Sequence, residues 1–212
     1  MADQDDLILY HISPSRSSIV LWMLEEIGQP YALRVLNMSR GENREPAYLS
    51  VNPMGKVPAL VHHGAVITET AAICCYLAET FSAAGLEVPA GDPRRGAYLK
   101  WMFFMNSCLE PALLDRMLKR TDTPRQASGY GDFETLLSVL TGAIEPGPFL
   151  LGEAFSAPDV LIGSSLRWGR MIDAIPDRPE IAAYIARLEA RPACRRAMER
   201  DRALATPAEP VA

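Results

Sequence analysis

What the chain lacks excludes several classes of protein at once. In 212 residues no apolar run approaches the ~20 residues that a membrane-spanning helix needs. Positive charge is not in excess: 21 Lys and Arg against 26 Asp and Glu leave a net charge of −5. A nucleic-acid partner would ask for a basic face; Arg94-Arg95 and Arg195-Arg196 are isolated pairs that read as solvated linker and helix end. Four cysteines occur, Cys74, Cys75, Cys108 and Cys194, and no two stand as C-x-x-C. Sequence neighbours rarely bridge, so neither a redox dithiol nor a zinc site is suggested, and no metal is expected. The acidic residues 1–6 hold no apolar signal core, which points to a cytoplasmic chain. No internal repeat is present. What remains, 49% hydrophobic and 22% charged, is the balance of a globular protein with material for one large domain or two small ones.

The most informative stretch is Asn52-Pro53-Met54-Gly55-Lys56-Val57-Pro58-Ala59-Leu60, followed by Ile67-Thr68-Glu69-Thr70-Ala71-Ala72-Ile73. It reads as a turn, a short strand entered at Val57-Pro58, a hairpin through His63-Gly64, and a helix. Proline has no backbone N–H and cannot sit mid-ladder, so at a strand's mouth it marks an edge or a bend. An X-Pro bond is also where a cis peptide is tolerated. A bend there turns the N–H and C=O of Val57 outward, free to clamp a small extended peptide as an added strand would. Glu69-Thr70 opens the next helix, whose first amides favour a carboxylate, while Glu69 attracts an ammonium. A backbone clamp, an anion seat and a cation seat together describe a site for a zwitterionic peptide.

In chain order, Leu7 to Tyr10 is a buried strand, and His11 to Ser18 a turn-rich stretch. The helix from Ile19 ends at Gly28, with Ser15 or Ser17 as its cap. Tyr31 to Leu36 is a second strand, 37–46 a loop and 47–51 one helical turn. With the hairpin and a helix over 70–83, the order is β-α-β-α-β-β-α, that of a thioredoxin-like fold. Gly85, Pro89, Gly91 and Pro93 mark 84–93 as a linker. Beyond it strand-like alternation is absent, and an all-α domain is expected over 94–203. One long helix covers Arg94 to Lys119, with Tyr98, Trp101, Met102, Met105 and Leu109 spaced three or four apart. A second runs from about Pro124 to Glu145. Ser156-Ala157-Pro158-Asp159 is a capping signal, with Phe155 and Val160 as its staple. Shorter helices fill 179–191 and 193–202, and 204–212 is a disordered tail. His62 and His63 read as hairpin surface without an acidic partner, so no base is assigned.

Asn-Pro-x-Gly-Lys-Val-Pro-x-Leu followed by Glu-Thr-x-Ala-Ile resembles the glutathione-binding half of the cytosolic glutathione S-transferase family, and the likeness extends over most of the chain. It implies an α/β thioredoxin-like domain at 1–83 that binds glutathione, plus an all-α C-terminal domain. The implied reaction is a detoxifying attack of the glutathione thiolate on a small hydrophobic electrophile. Alternatives are a glutathione-dependent isomerase or dehalogenase on the same fold, or a non-catalytic glutathione-binding or regulatory protein. The family places the thiol's hydroxyl donor in the turn after the first strand. Ser15 ranks first, because Ser15-Arg16 aligns with the Ser-Arg pair of many bacterial and fungal members. Ser13 fits an alignment on Ser-Pro, as in insect-type members, and Ser17 falls near the cysteine of beta-type members. Tyr10 ends the strand near the donor of tyrosine-type enzymes, though an aromatic there is more often core. No cysteine occupies the loop, which disfavours mixed-disulfide chemistry. For glutathione itself, the resemblance implies Val57, next to Pro58, at the cysteinyl backbone, Glu69 at the γ-glutamyl ammonium and Thr70 at its carboxylate. Lys56 is placed toward the glycyl carboxylate, with Arg16, Asn52 and Arg40 behind it. The electrophile would meet Tyr98, Trp101, Met102, Met105 and Trp168 in a pocket between the domains. A homodimer is implied, with glutathione as co-substrate and no metal, nucleic acid or membrane involved.

Overall fold

The strand β1 (Leu7–His11) alternates buried and half-buried positions, so Leu7, Leu9 and His11 share the inner face. In the computed structural model, which describes residues 6–120 and 124–205, this strand lies inside a four-stranded sheet of order β2-β1-β3-β4. Its partners are β2 (Ala32–Val35), parallel to it, and β3 (Ala59–His62), antiparallel. The edge strand β4 (Ala65–Thr68) pairs antiparallel with β3. The β3–β4 turn is His63-Gly64, with φ of 48° and 80°. Two left-handed residues match the strand twist in a two-residue hairpin.

Between β1 and β2 runs α1 (Ser17–Ile27), which buries Ile19 to Leu24 and stops where Gly28, at φ 73°, donates its N–H to the Leu24 carbonyl. A short α2 (Pro46–Leu49) precedes β3, and α3 (Thr70–Thr80) follows β4. This unit also takes in the last described helix, α9 (Pro192–Leu204). Its position in the chain assigns α9 to the all-helical part, yet it packs on α1 through the small residues Ala193, Cys194 and Ala197. Glu25 of α1 meets Arg196 at 2.9 Å and Arg200 at 3.4 Å. Of the expected tail, only Leu204 and Ala205 fall among the described residues.

Residues Gly85–Arg191 form a second, helical unit. The first half of the expected linker is docked onto this unit rather than free. Leu86 and Val88 are buried, the Leu86 carbonyl accepts from the Ala157 N–H at 2.9 Å, and the Arg95 guanidinium donates to the Val88 carbonyl. The expected long helix is three pieces: α4 (Arg95–Phe104), a π turn at Met105–Leu109, and α5 (Glu110–Met117). Pro111 has no N–H for the carbonyl four residues back, at Ser107, so the regular ladder opens there. The next helix, α6 (Phe133–Ile144), starts later than the sequence predicts, because the Asp132 carboxylate accepts from the Thr135 N–H at 2.9 Å and caps it. After it come α7 (Ala157–Met171) and α8 (Pro179–Glu189). The predicted capping box is present, and Asp159 does more than cap. Its Oδ2 accepts from the N–H and hydroxyl of Ser156, and its Oδ1 from the Leu150 N–H and the Tyr184 hydroxyl.

Candidate active site

Sheet register gathers the sequence-predicted glutathione residues. Tyr10 pairs with Ala59 and Ala59 with Thr68, while His11 pairs with Val35. The end of β1, the start of β3 and the end of β4 therefore lie at one edge of the sheet. Three segments leave from that edge: the serine loop 13–18 into α1, the approach through Val57-Pro58, and Glu69-Thr70 into α3. Two helices, α1 and α3, thus start from that end of the sheet, with N-terminal amides suited to an anion.

The Val57 segment is held by its own loop. Tyr48 donates to the Lys56 carbonyl at 2.5 Å and the Asn52 amide donates to it at 2.8 Å. Burial pushes the Tyr48 hydroxyl up to about 12, opposed by its Asn52 contact, so it stays a donor. The Asn43 amide donates to the Gly55 carbonyl at 2.9 Å. Gly55 has φ of 63°, and a Cβ there would lie 2.7 Å from the Asn43 carbonyl oxygen, so no larger residue fits. Asn52 is buried, and both ends of its amide are used on this loop, since its oxygen accepts from the Met54 N–H at 3.1 Å. It is therefore a builder of the loop, not the carboxylate contact expected of it. The Val57–Pro58 peptide is cis, as is Ser13–Pro14. Among the described residues no backbone hydrogen bond engages Val57. Its N–H and C=O are thus open to an added peptide, while Pro58 and Thr70 are buried and Lys56, Glu69, Arg16 and Arg40 are exposed. Glu69 sits at φ 68° just before α3.

Burial separates Ser17 from the other two candidate serines, and hydrogen bonding separates Ser13 from Ser15. Ser17 is completely buried, its Oγ 2.8 Å from His11 Nδ1 and also accepting from the Ile12 N–H at 3.1 Å. Ser13 donates to the Asp201 backbone carbonyl at 2.8 Å. Ser15 is half-buried; its Oγ accepts from the Ser17 N–H at 3.1 Å and shares a proton with Ser17 Oγ at 2.7 Å. Of the three, Ser15 alone combines a place at the helix N-terminus with access to solvent. Tyr10 turns elsewhere, its ring 5.2 Å from that of Tyr48, beside a cavity of about 160 Å³ also lined by Glu42 and Glu45.

His11 and Asp201 went unnoticed in the sequence. The alternation Leu7, Leu9, His11 was a usable signal for the first; nothing local marks the second. His62 also departs from expectation. It is buried, with Nδ1 2.8 Å from the Tyr76 hydroxyl, and burial lowers its pKa, helped by His63 and opposed by Asp6. His63 is exposed as expected. The residues assigned to the electrophile lie in the helical unit: Tyr98, Trp101, Met102 and Met105 are buried there and Trp168 half-buried. Cys74 is fully buried, which pushes its thiol well above the ordinary range, Cys75 adding to the shift. Among the described residues no group of three or more His, Cys, Asp and Glu is gathered, and no helix is long and apolar enough to cross a membrane.

Comparison with known proteins bears on the fold and the family. Residues 5–79 match the family model described as glutathione S-transferase, N-terminal domain. Glutathione S-transferase 3 of Schizosaccharomyces pombe is 27% identical, across 92% of this chain and 87% of that protein. The disulfide-bond oxidoreductase YfcG of Escherichia coli is 28% identical, across 88% of this chain and 91% of that one. The crystal structure of a glutathione transferase homologue from Sulfitobacter, with bound glutathione, aligns at 25% identity with a TM-score of 0.74, covering 92% of this chain and 97% of that one. The fold is a thioredoxin-like domain with an all-α partner, and the chain resembles the glutathione S-transferase enzymes, its residues 5–79 matching their N-terminal domain.

Proposed function

We propose that this chain conjugates the thiol of glutathione to a small hydrophobic electrophile. The observation that carries the reading is the meeting, at one edge of the sheet, of the half-buried Ser15, the unengaged Val57 backbone and the Glu69-Thr70 start of α3. Val57 clamps the cysteinyl residue, Glu69 holds the γ-glutamyl ammonium, and the first amides and hydroxyl of α3 hold its carboxylate. Lys56 is left for the glycyl end. A free thiol titrates near ~8.5, and the thiolate is the nucleophile. The Ser15 hydroxyl and the α1 N-terminus stabilise that anion. Sulfur then attacks carbon, and the leaving group departs with the electron pair of the bond that breaks. Tyr98, Trp101, Met102 and Met105 are assigned to the electrophile, and on that assignment Trp101→Ala should alter KM for the acceptor and leave glutathione affinity unchanged. A cytoplasmic homodimer completes the proposal, with light scattering as the check on mass.

The test is initial rates with glutathione and a chloro-dinitrobenzene acceptor for wild type, Ser13→Ala, Ser15→Ala and Ser17→Ala, beside calorimetric glutathione affinity. Ser15→Ala should lower turnover about tenfold or more with binding kept. Binding without turnover on any acceptor would reduce the reading to a glutathione binder, and absence of binding would remove it altogether. A second reading, glutathione-dependent disulfide exchange, is favoured by the similarity to the disulfide-bond oxidoreductase. With no cysteine in the serine loop, glutathione itself would supply the attacking sulfur; reduction of hydroxyethyl disulfide distinguishes the two.

A further inference from the structure

Behind Ser15 lies a continuous polar path into the core. Ser15 Oγ is 2.7 Å from Ser17 Oγ, which is 2.8 Å from His11 Nδ1. On the far side of the completely buried ring, Nε2 faces Asp201 Oδ1 at 3.0 Å. That contact lacks the direction of a hydrogen bond, so its attraction is chiefly electrostatic and is strongest when the ring is charged. Asp201 is itself fixed, its carboxylate accepting from the Ser18 hydroxyl at 2.9 Å and its backbone carbonyl from Ser13. Burial pushes the Asp201 carboxyl up, but the neighbouring His11 ring and the Ser18 and Ser13 hydroxyls outweigh it and hold the group below the usual carboxylate range. An apolar side chain would fill the inner end of β1 without a buried polar pair, so packing alone does not account for an imidazole between a hydroxyl and a carboxylate.

We propose that His11 is the acceptor of the proton that glutathione's thiol loses, that Ser15 and Ser17 carry it inward, and that Asp201 makes the transfer favourable. The assignment rests on the reading of Ser15 as the thiol's partner. In the resting state Nε2 carries the ring proton beside Asp201, and Nδ1, at 2.8 Å, accepts from Ser17 in preference to the Ile12 carbonyl, which is farther, at 3.2 Å. Ser17 accepts from Ser15, and Ser15 is open to the thiol. On transfer the S–H bond breaks and an N–H bond forms at Nδ1. Each hydroxyl gives up one proton and receives one, so both remain neutral. Thiolate and imidazolium are the products, net charge is unchanged, and the Ser15 O–H now points at sulfur.

An unperturbed imidazole is a weaker base than a thiolate by about two pH units, so the transfer needs the carboxylate behind the ring. Among the described residues Asp201 is the charged group in contact with the imidazole. Helix α1 presents Ser17, β2 presents Val35 at the paired position, and the nearby cations of α9, Arg196 and Arg200, are taken up by Glu25. Neither His11 nor Asp201 touches the thiol. His11 acts through the two serines, and Asp201 is a positioning residue.

The test uses the full chain with glutathione bound, titrating the ultraviolet absorbance of the thiolate against pH and measuring glutathione affinity by calorimetry. Asp201→Asn keeps the side-chain shape at a partly exposed position. It should raise the thiol's midpoint by about one pH unit, a tenfold loss of thiolate below that midpoint, with glutathione Kd changed by less than about twofold. His11→Asn, which can still bond Ser17 but cannot take a proton, should give at least the same shift, and the double variant no more than His11→Asn alone. Midpoints unchanged in Asp201→Asn, with glutathione bound, would overturn the relay while leaving the binding site standing. Wild type that fails to bind glutathione, or a midpoint unmoved by Ser15→Ala, would overturn the reading beneath it and the relay together.

Discussion

Replacing Asp159 with asparagine should destabilise the helical unit far more than the loss of one surface charge. The side chain is completely buried and accepts four hydrogen bonds: at Oδ1 from the Leu150 N–H (2.9 Å) and the Tyr184 hydroxyl (2.7 Å), at Oδ2 from the Ser156 N–H (2.9 Å) and hydroxyl (3.0 Å). Asparagine offers one acceptor oxygen. Whichever way its amide turns, the NH2 faces one backbone N–H and one hydroxyl. The hydroxyl can rotate to accept, but the backbone N–H cannot and stays buried without a partner. An unsatisfied buried donor costs about 1–3 kcal/mol, and the charge assistance of the remaining bonds is also lost. The expected penalty is therefore about 2–3 kcal/mol for Asp159→Asn. Asp159→Ala, which strands both N–H groups, should cost about 3–5 kcal/mol. Tyr184→Phe, which removes a single donor, should cost about 1 kcal/mol. Urea unfolding followed on the helical signal measures this as a shift in midpoint at constant slope. An Asp159→Asn protein within about 0.5 kcal/mol of wild type would refute the reasoning.

Gly55→Ala should weaken glutathione binding about tenfold and cost about 1–2 kcal/mol, because alanine must adopt a left-handed φ and approach the Asn43 carbonyl; calorimetry and unfolding read the two effects. Glu69→Gln should lower glutathione affinity about tenfold, as expected for loss of a charge-assisted contact. The difference should vanish with an analogue lacking the γ-glutamyl ammonium. Glu25 is held below its ordinary range: burial pushes it up, but Tyr31, Arg196 and Arg200 outweigh that. A depressed folded pKa stabilises above the unfolded value, and the benefit is lost as pH falls through the folded one. Glu25→Gln should therefore be about 1 kcal/mol less stable than wild type at neutral pH and match it in acid, as unfolding curves across that range would show.

Much of the first unit is legible from local chemistry. Gly28 ends α1 because glycine takes the left-handed position, His63-Gly64 turns the hairpin for a related reason, and the Val57-Pro58 step opens β3 because proline cannot join the ladder mid-strand. Ser156-Ala157-Pro158-Asp159 starts α7 through contacts three residues apart, within reach of a sequence reading. The same local logic operates at Pro111, which opens the π turn, and at Asp132, which delays α6.

The serines show where such reading stops. Ser13, Ser15 and Ser17 are equivalent as letters in one short loop, each a polar hydroxyl near a helix start. Burial against His11 removes Ser17 from solvent, a bond to the Asp201 backbone occupies Ser13, and Ser15 is left half-open. Two of those constraints come from β1 and α9, and Asp201 of α9 lies more than 180 residues along the chain from the loop. Periodicity marks the apolar face of a helix but carries no record of which surface will cover it, so α9 read as part of the helical segment although it packs on α1. By itself the sequence determined the strands, turns and helices of the first unit and marked the candidate glutathione residues on them, because those depend on neighbours within a few residues. Tertiary structure decided which serine is accessible and what stands behind it, because a buried imidazole and its carboxylate meet only once the far end of the chain has docked.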